Sequence, residues 1–330
     1  MRRALGLIPL FLLLSLFGST RRYVADPVIA HPIAISAERL TAPIFSTAPE
    51  LRYVDGWTLT STDKAFGGFS GVAIVGREFF ALSDFGLLAR FSITKSGEFV
   101  GASINPLPAG CARDADKHDR DSESIVVDPA TGASWIGFEW RNAICRSAPG
   151  MVKAQRVVHP GAMRFWSLTG GPEAIVRLAD GRFLVFAEAS TTTGGLPPLL
   201  VFDRDPTSIA AKVQIRAYQP PEHYFSPTDA VQLPDGRVLV LNRRFEPPFD
   251  FSARLSVIDQ VPIRPTGVIG SRVIARFQRP GIADNFEGLA VSNENGRTYV
   301  WIMSDNNFLW IQHSYLLKFE LLPERTDAGR

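Results

Sequence analysis

Short apolar runs come in pairs along this chain. Five segments, residues 70–84, 123–139, 173–188, 229–243 and 287–305, share one plan: a polar head, an apolar run, a turn with Gly in most copies, a second apolar run and a polar tail. Two such runs joined by turn residues make a β-hairpin pattern. The heads Ser70, Glu123, Glu173, Asp229 and Glu287 recur every 50 to 58 residues, which is the period of propeller blades with long loops and not that of a helical solenoid. The expectation is an all-β fold: a single β-propeller of about six blades, with five to seven allowed. Residues before the first hairpin and after the last leave room for the rest of one blade and a sixth. Pairing of N-terminal residues 52–60 with C-terminal residues 314–321 would close the ring and remove exposed strand edges.

That architecture makes a prediction about chemistry. Head and tail of one hairpin are neighbours, and ring symmetry gathers them around one mouth of the central channel. The tails are Asp84, Glu139, Glu188, Arg243 and Asp305. So many carboxylates near one axis repel each other unless a cation compensates. Calcium, which accepts six to eight oxygen ligands in flexible geometry, suits such a ring better than magnesium. The lack of His and Cys candidates argues against zinc and copper. Candidate metal ligands are Asp84, Glu123, Glu173, Glu188, Asp229 and Glu287. The alternative is that these acids tie loops together or pair with arginines.

Arg243 and Arg244 stand where other repeats carry an acid, and Arg141 follows Glu139 by two residues. Guanidinium groups there suit a phosphate or carboxylate of a ligand, or an internal pair across the channel. Residues 113–123 mix Asp with Lys, Arg and His and read as a solvated loop, since the Gly of a calcium loop is missing; His118 is its candidate acid or base. The stretch GGFSG (67–71) fails the nucleophile-elbow pattern because position 72 is Val, and Ser70 reads as a strand head.

Composition narrows the partners. The 330 residues are 45% hydrophobic and 21% charged, with 27 Gly and 24 Pro spread as turn punctuation, as in an ordinary globular protein. The net charge of +2 and the lack of a basic stripe exclude the footprint of a nucleic-acid binder. Residues 1–22 carry Arg2 and Arg3, an apolar stretch of about 14 residues and then small residues, the build of a signal peptide; Arg21 and Arg22 keep an uncleaved anchor as the second reading. Domain boundaries follow: leader 1–22, propeller 23–322, polar tail 323–330. Beyond the leader no membrane contact is expected, and the body is expected to be monomeric. Cys111 and Cys145, both in the exported part, are expected to form a disulfide, with two buried thiols as the alternative.

Several stretches resemble the phytase-like family described by the phrase "esterase-like activity of phytase". They are GGFSGVAI and FFALSDFG (67–86), SESIVVD (122–128), NFEGLAV (285–291) and IMSDNNFLWIQHSYLLKFEL (302–321). The similarity runs over residues 50–321. It implies a periplasmic or secreted propeller acting on small-molecule esters or phosphoesters. The motif positions it marks are Ser70, Gly71, Ser83, Asp84, Glu123, Glu287, Gly288, Asp305, Asn306, Asn307 and Gln312. One departure is Asn242, where the family carries an acid before the arginine. On this reading Glu123, Glu287, Asp305 and Arg243 are catalytic candidates, and Arg141, Arg243, Arg244, Asn306 and Asn307 face the substrate. A non-catalytic binding propeller and a lactonase-like enzyme are the alternatives.

Overall fold

The computed structural model describes residues 29–41, 50–112, 116–188, 195–261 and 267–323. The leader 1–22 and residues 324–330 of the polar tail lie outside them. The chain begins with β1 (His31–Pro32), β2 (Ser36–Arg39) and β3 (Leu51–Thr60). Blade one is β4 (Phe69–Val75), β5 (Glu78–Ser83), β6 (Leu87–Ile93) and β7 (Phe99–Pro106). A one-turn helix, α1 (Lys117–Arg120), precedes blade two: β8 (Ser122–Val127), β9 (Ser134–Phe138), β10 (Ala143–Ser147) and β11 (Ala154–Val158). Blade three is β12 (Pro172–Arg177), β13 (Phe183–Ala187), β14 (Pro198–Phe202) and β15 (Val213–Gln219), with β19 (Val268–Gly270) added in parallel on its outer edge. Blade four is β16 (Ser226–Gln232), β17 (Val238–Glu246), β18 (Asp250–Ile258) and β20 (Arg272–Phe277); blade five opens with β21 (Phe286–Glu294), β22 (Arg297–Ser304) and β23 (Ser314–Leu321).

The ring has five blades, not six. The residues assigned by sequence to a sixth are consumed at the edges of other blades. β3 is the fourth strand of blade five, running antiparallel to β23 from Leu51↔Leu321 to Ser314↔Leu59. β2 extends that blade, and β1 extends blade one along β7. The expected closure of the ring is therefore present. The innermost strands β4, β8, β12, β16 and β21 pack on one another in a closed circle.

Five hydrophobic clusters hold the ring, one in each interface between blades. β13 explains why the sequence reads as unbroken apolar runs. Phe183, Val185 and Ala187 enter the interface with blade two, while Leu184 and Phe186 enter the interface with blade four. With side chains alternating between two buried faces, both must be apolar.

The predicted hairpins are the two inner strands of each blade, and each carries a β-bulge at its head. The pairing skips Ser70, Glu123, Glu173, Thr228 and Glu287. A bulge re-aims one side chain out of the strand's alternation, so equivalent bulges aim equivalent residues at one end of the channel. Blade four departs from the sequence reading here: Thr228, and not Asp229, is its bulge residue. The Cys111–Cys145 disulfide is formed, with 5.5 Å between Cα atoms, and ties the segment before α1 to β10. Closing a loop of 34 residues contributes about 3 to 4 kcal/mol by loop entropy.

Candidate active site

Tail residues sit beside the bulges. The backbone N–H of Asp84 donates to Gly68 O, that of Glu139 to Asp121 O and that of Asp305 to Asn285 O, at 2.8 to 2.9 Å. In these three blades the residue two before the head is thereby locked to the tail, which adds Asp121 and Asn285 to the mouth. Two close approaches need glycine. Gly68 has φ +64, and a Cβ there would lie 2.5 Å from Asp84 Oδ1. A Cβ on Gly171 would lie 2.7 Å from the Cα of Glu139.

The bulges have two fates. Ser70 and Thr228 donate their hydroxyls to Ser122 O and Phe286 O of the next blade, at 2.6 and 3.2 Å. Glu123, Glu173 and Glu287 carry carboxylates into a cluster with Asp84, Asp121, Glu139, Glu188 and Asp305, in which neighbouring charges act on one another throughout. Burial, reinforced by neighbouring acids, pushes Glu139 up to about 9. The same causes hold Glu123, Glu173 and Asp305 well above the ordinary carboxylate range. Burial moves Asp84 to about 6 and Glu287 to about 7, with Lys117 opposing the first and Arg243 the second.

Two cations stand among these eight acids. Arg243 pairs with Glu287 and donates to Asn285 Oδ1, and its Nη2 donates to Glu188 Oε1 at 2.7 Å. Asn285 Nδ2 in turn donates to Glu287 Oε1 at 3.0 Å. Lys117 on α1 places Nζ 3.1 Å from Asp84 Oδ2 and 3.5 Å from Asp121 Oδ1. Both cations are shifted upward by these acids despite burial.

The donor set is all oxygen. Carboxylate oxygens of Asp121, Glu123 and Glu139 lie within 4.8 Å of one another, and Glu173, only 8% exposed, has a buried Oε1 without a hydrogen-bond partner among the described residues. Raised, mutually repelling carboxylates with an unsatisfied buried oxygen fit a hard cation. These residues could hold one.

Other candidates lie elsewhere. Asp229 is buried, but its oxygens accept backbone N–H groups of Ala230 at 2.8 Å, Leu289 at 2.6 Å and Val72. It ties blades four, five and one together. Arg141 donates to Cys111 O at 2.8 Å, pairs with Asp119 at 3.1 Å and lies over the Phe138 ring. Arg244, next to Arg243 on β17, pairs with Glu246 and lies over Tyr224. For Arg243 the structure has the internal pairing with glutamates that the sequence left open beside substrate contact, whereas Arg141 pairs with Asp119 of the adjacent α1. Asn306 Oδ1 accepts from Gly68 and Phe308, and the Asn307 N–H donates to Asp305 Oδ1 at 2.7 Å, so both shape the rim. His118 is exposed beside Trp140 and Asp116.

The sequence reading missed Asp121, Asn285 and Lys117. The first two had a signal, since each stands two residues before a head carboxylate. Lys117 had none, because it comes from an insertion outside the repeat.

Among solved structures the chain is similar to the major allergen Mala s 1 of Malassezia sympodialis, at 10% identity over 88% of this chain and 95% of that one, TM-score 0.41. Hydrazine synthase of Kuenenia stuttgartiensis matches at 12% over 75% and 79%, TM-score 0.39. A candidate 6-phosphogluconolactonase from Bacteroides uniformis matches at 16% over 79% and 77%, TM-score 0.38. No curated protein matches the sequence. The family model for phytase-like proteins, "Esterase-like activity of phytase", matches residues 64–308, a span from just before the first bulge to the rim beyond Asp305. The chain belongs to the phytase-like family.

Proposed function

We propose that this protein is an exported hydrolase of ester or phosphoester bonds that works at the acidic mouth of its channel with a divalent cation, calcium being the best fit. The observation that carries the reading is the convergence of eight carboxylates from four blades against two internal cations. Asp121, Glu123 and Glu139 would hold the cation, with Glu173 and Asp84 at its margin. The cation would supply Lewis-acid polarisation of the substrate oxygen and a more acidic water. Glu287, shifted to about 7, is suited to exchange protons near neutral pH. It takes the proton of the attacking water, whose oxygen bonds to carbon or phosphorus, and returns it to the departing alcohol. Arg243 holds Glu287 and Glu188 in place and stabilises negative charge developing nearby. Asn306 and Asn307 form the rim over which substrate enters. The Cys111–Cys145 bond supports export, since disulfides persist in oxidising compartments.

A non-catalytic binding propeller is the second reading. It is favoured by one observation: both cations at the mouth are engaged by acids, so neither stands ready for a substrate anion. Assay of the purified protein on a panel of carboxylic and phosphoric esters separates the two. The hydrolase reading expects turnover that chelation removes and calcium restores, and a loss of about 100-fold or more in kcat for Glu123→Gln. Absence of divalent-ion binding by calorimetry, together with hydrolysis untouched by Glu287→Gln, overturns it.

A further inference from the structure

Lys117 reaches the mouth from outside the repeat. α1 is a single turn in the insertion between blades one and two, and no hairpin supplies an equivalent residue. Its ammonium lies 3.1 Å from Asp84 and 3.5 Å from Asp121. It also acts across space on Glu123 and Glu139. Asp121, Glu123 and Glu139 are the three residues whose oxygens cluster within 4.8 Å. The ammonium therefore contacts one of the three acids a metal ion would need, Asp121, and acts on the other two through their charge. Even with Lys117 in place, the buried Glu173 Oε1 has no hydrogen-bond partner among the described residues, so the cluster still holds an unsatisfied acceptor.

We infer that Lys117 is a tethered counter-cation occupying the cation position of the ring, which a divalent ion must displace in order to bind. This rests on the cation-assisted reading above. An ammonium is a compact single charge with three donors on a flexible stem, whereas calcium brings two charges and takes six to eight oxygens. A free monovalent ion gains no charge by replacing the lysine and must compete with a group held at high local concentration by the chain. A divalent ion gains one charge among eight acids. Lys117 thus sets both the affinity threshold and the preference for divalent over monovalent ions. In the same position Nζ lies 4.9 Å from the centre of the Phe85 ring, so a cation–π contact adds to what the divalent ion must displace.

The test is a calorimetric titration of calcium chloride into the full wild-type chain and into Lys117→Met, paired with thermal melts in calcium and in chelator. Lys117→Met is expected to bind calcium at least tenfold more tightly, to melt lower than wild type in chelator, and to gain more from calcium than wild type does. If wild type binds calcium and the variant binds equally or more weakly, Lys117 is no competitor, and the cation site stands without it. If neither binds, the cation-assisted reading itself fails and takes this inference with it. Should Lys117→Met not fold, Lys117→Gln is judged by the same criterion.

Discussion

Asp229 and Glu173 are both buried acids on innermost strands, yet they solve burial in opposite ways. Asp229 engages its oxygens with backbone N–H groups of three strands, the pairing that buried polar groups require. Glu173 keeps an oxygen without a hydrogen-bond partner among the described residues and faces Glu188, Glu139 and Glu287. The first arrangement satisfies the acid's oxygens within the ring, although burial still holds Asp229 above the ordinary carboxylate range. The second destabilises the ring locally unless a charge arrives from outside, which is the mark of a site kept for something other than stability.

The comparison can be pressed hardest through Arg243, the cation that makes the acidic side tolerable. Arg243→Met leaves Glu188 and Glu287 without their buried partner and is expected to cost about 3 to 5 kcal/mol in urea unfolding under chelator, part of it recovered in calcium. Recovery of none of it would place Arg243 outside the cation's reach.

Asp229→Asn turns an acceptor into a donor facing amide N–H groups. The expected loss is about 1 to 3 kcal/mol, the same with calcium as without. A calcium-dependent loss would merge the two regions and break the contrast.

The smallest effect is the change that one acid makes to the pH profile. Asp84, Glu287 and Glu139 titrate at about 6, 7 and 9 in the folded chain, above their ordinary values near 4. Their protonated forms favour folding, so this contribution is whole below about pH 4 and is lost as pH rises through those values. Metal-free protein is therefore expected to melt at lower temperature at pH 8 than at pH 5. Glu173→Gln removes one of the repelling charges and should flatten that decline by about 1 kcal/mol. A profile that rises with pH in chelator would contradict the crowding of acids.

Much of this was legible in the sequence because a propeller repeats. Apolar pairs at 70–84, 123–139, 173–188, 229–243 and 287–305 gave the inner hairpins, and their polar ends gave Glu123, Glu173, Glu188, Glu287 and Asp305 a common place. The count of blades was not legible. β1 and β2 look like material for a further blade, and only pairing with β7 and β3 shows that they extend existing ones. The choice between Thr228 and Asp229 also escaped, since a bulge shifts register by one residue and leaves no trace in hydrophobic pattern. Lys117 was invisible for a different reason: periodicity carries no information about an insertion.

The strand at residues 51–60 completes a blade whose other three strands begin at residue 286. During synthesis it must wait for its inner partner β23 while four blades form, and the circle cannot shut until that strand emerges. Such a late, long-range contact slows folding. It also keeps the eight acids, which come from four blades, from meeting until nearly all of the propeller is available.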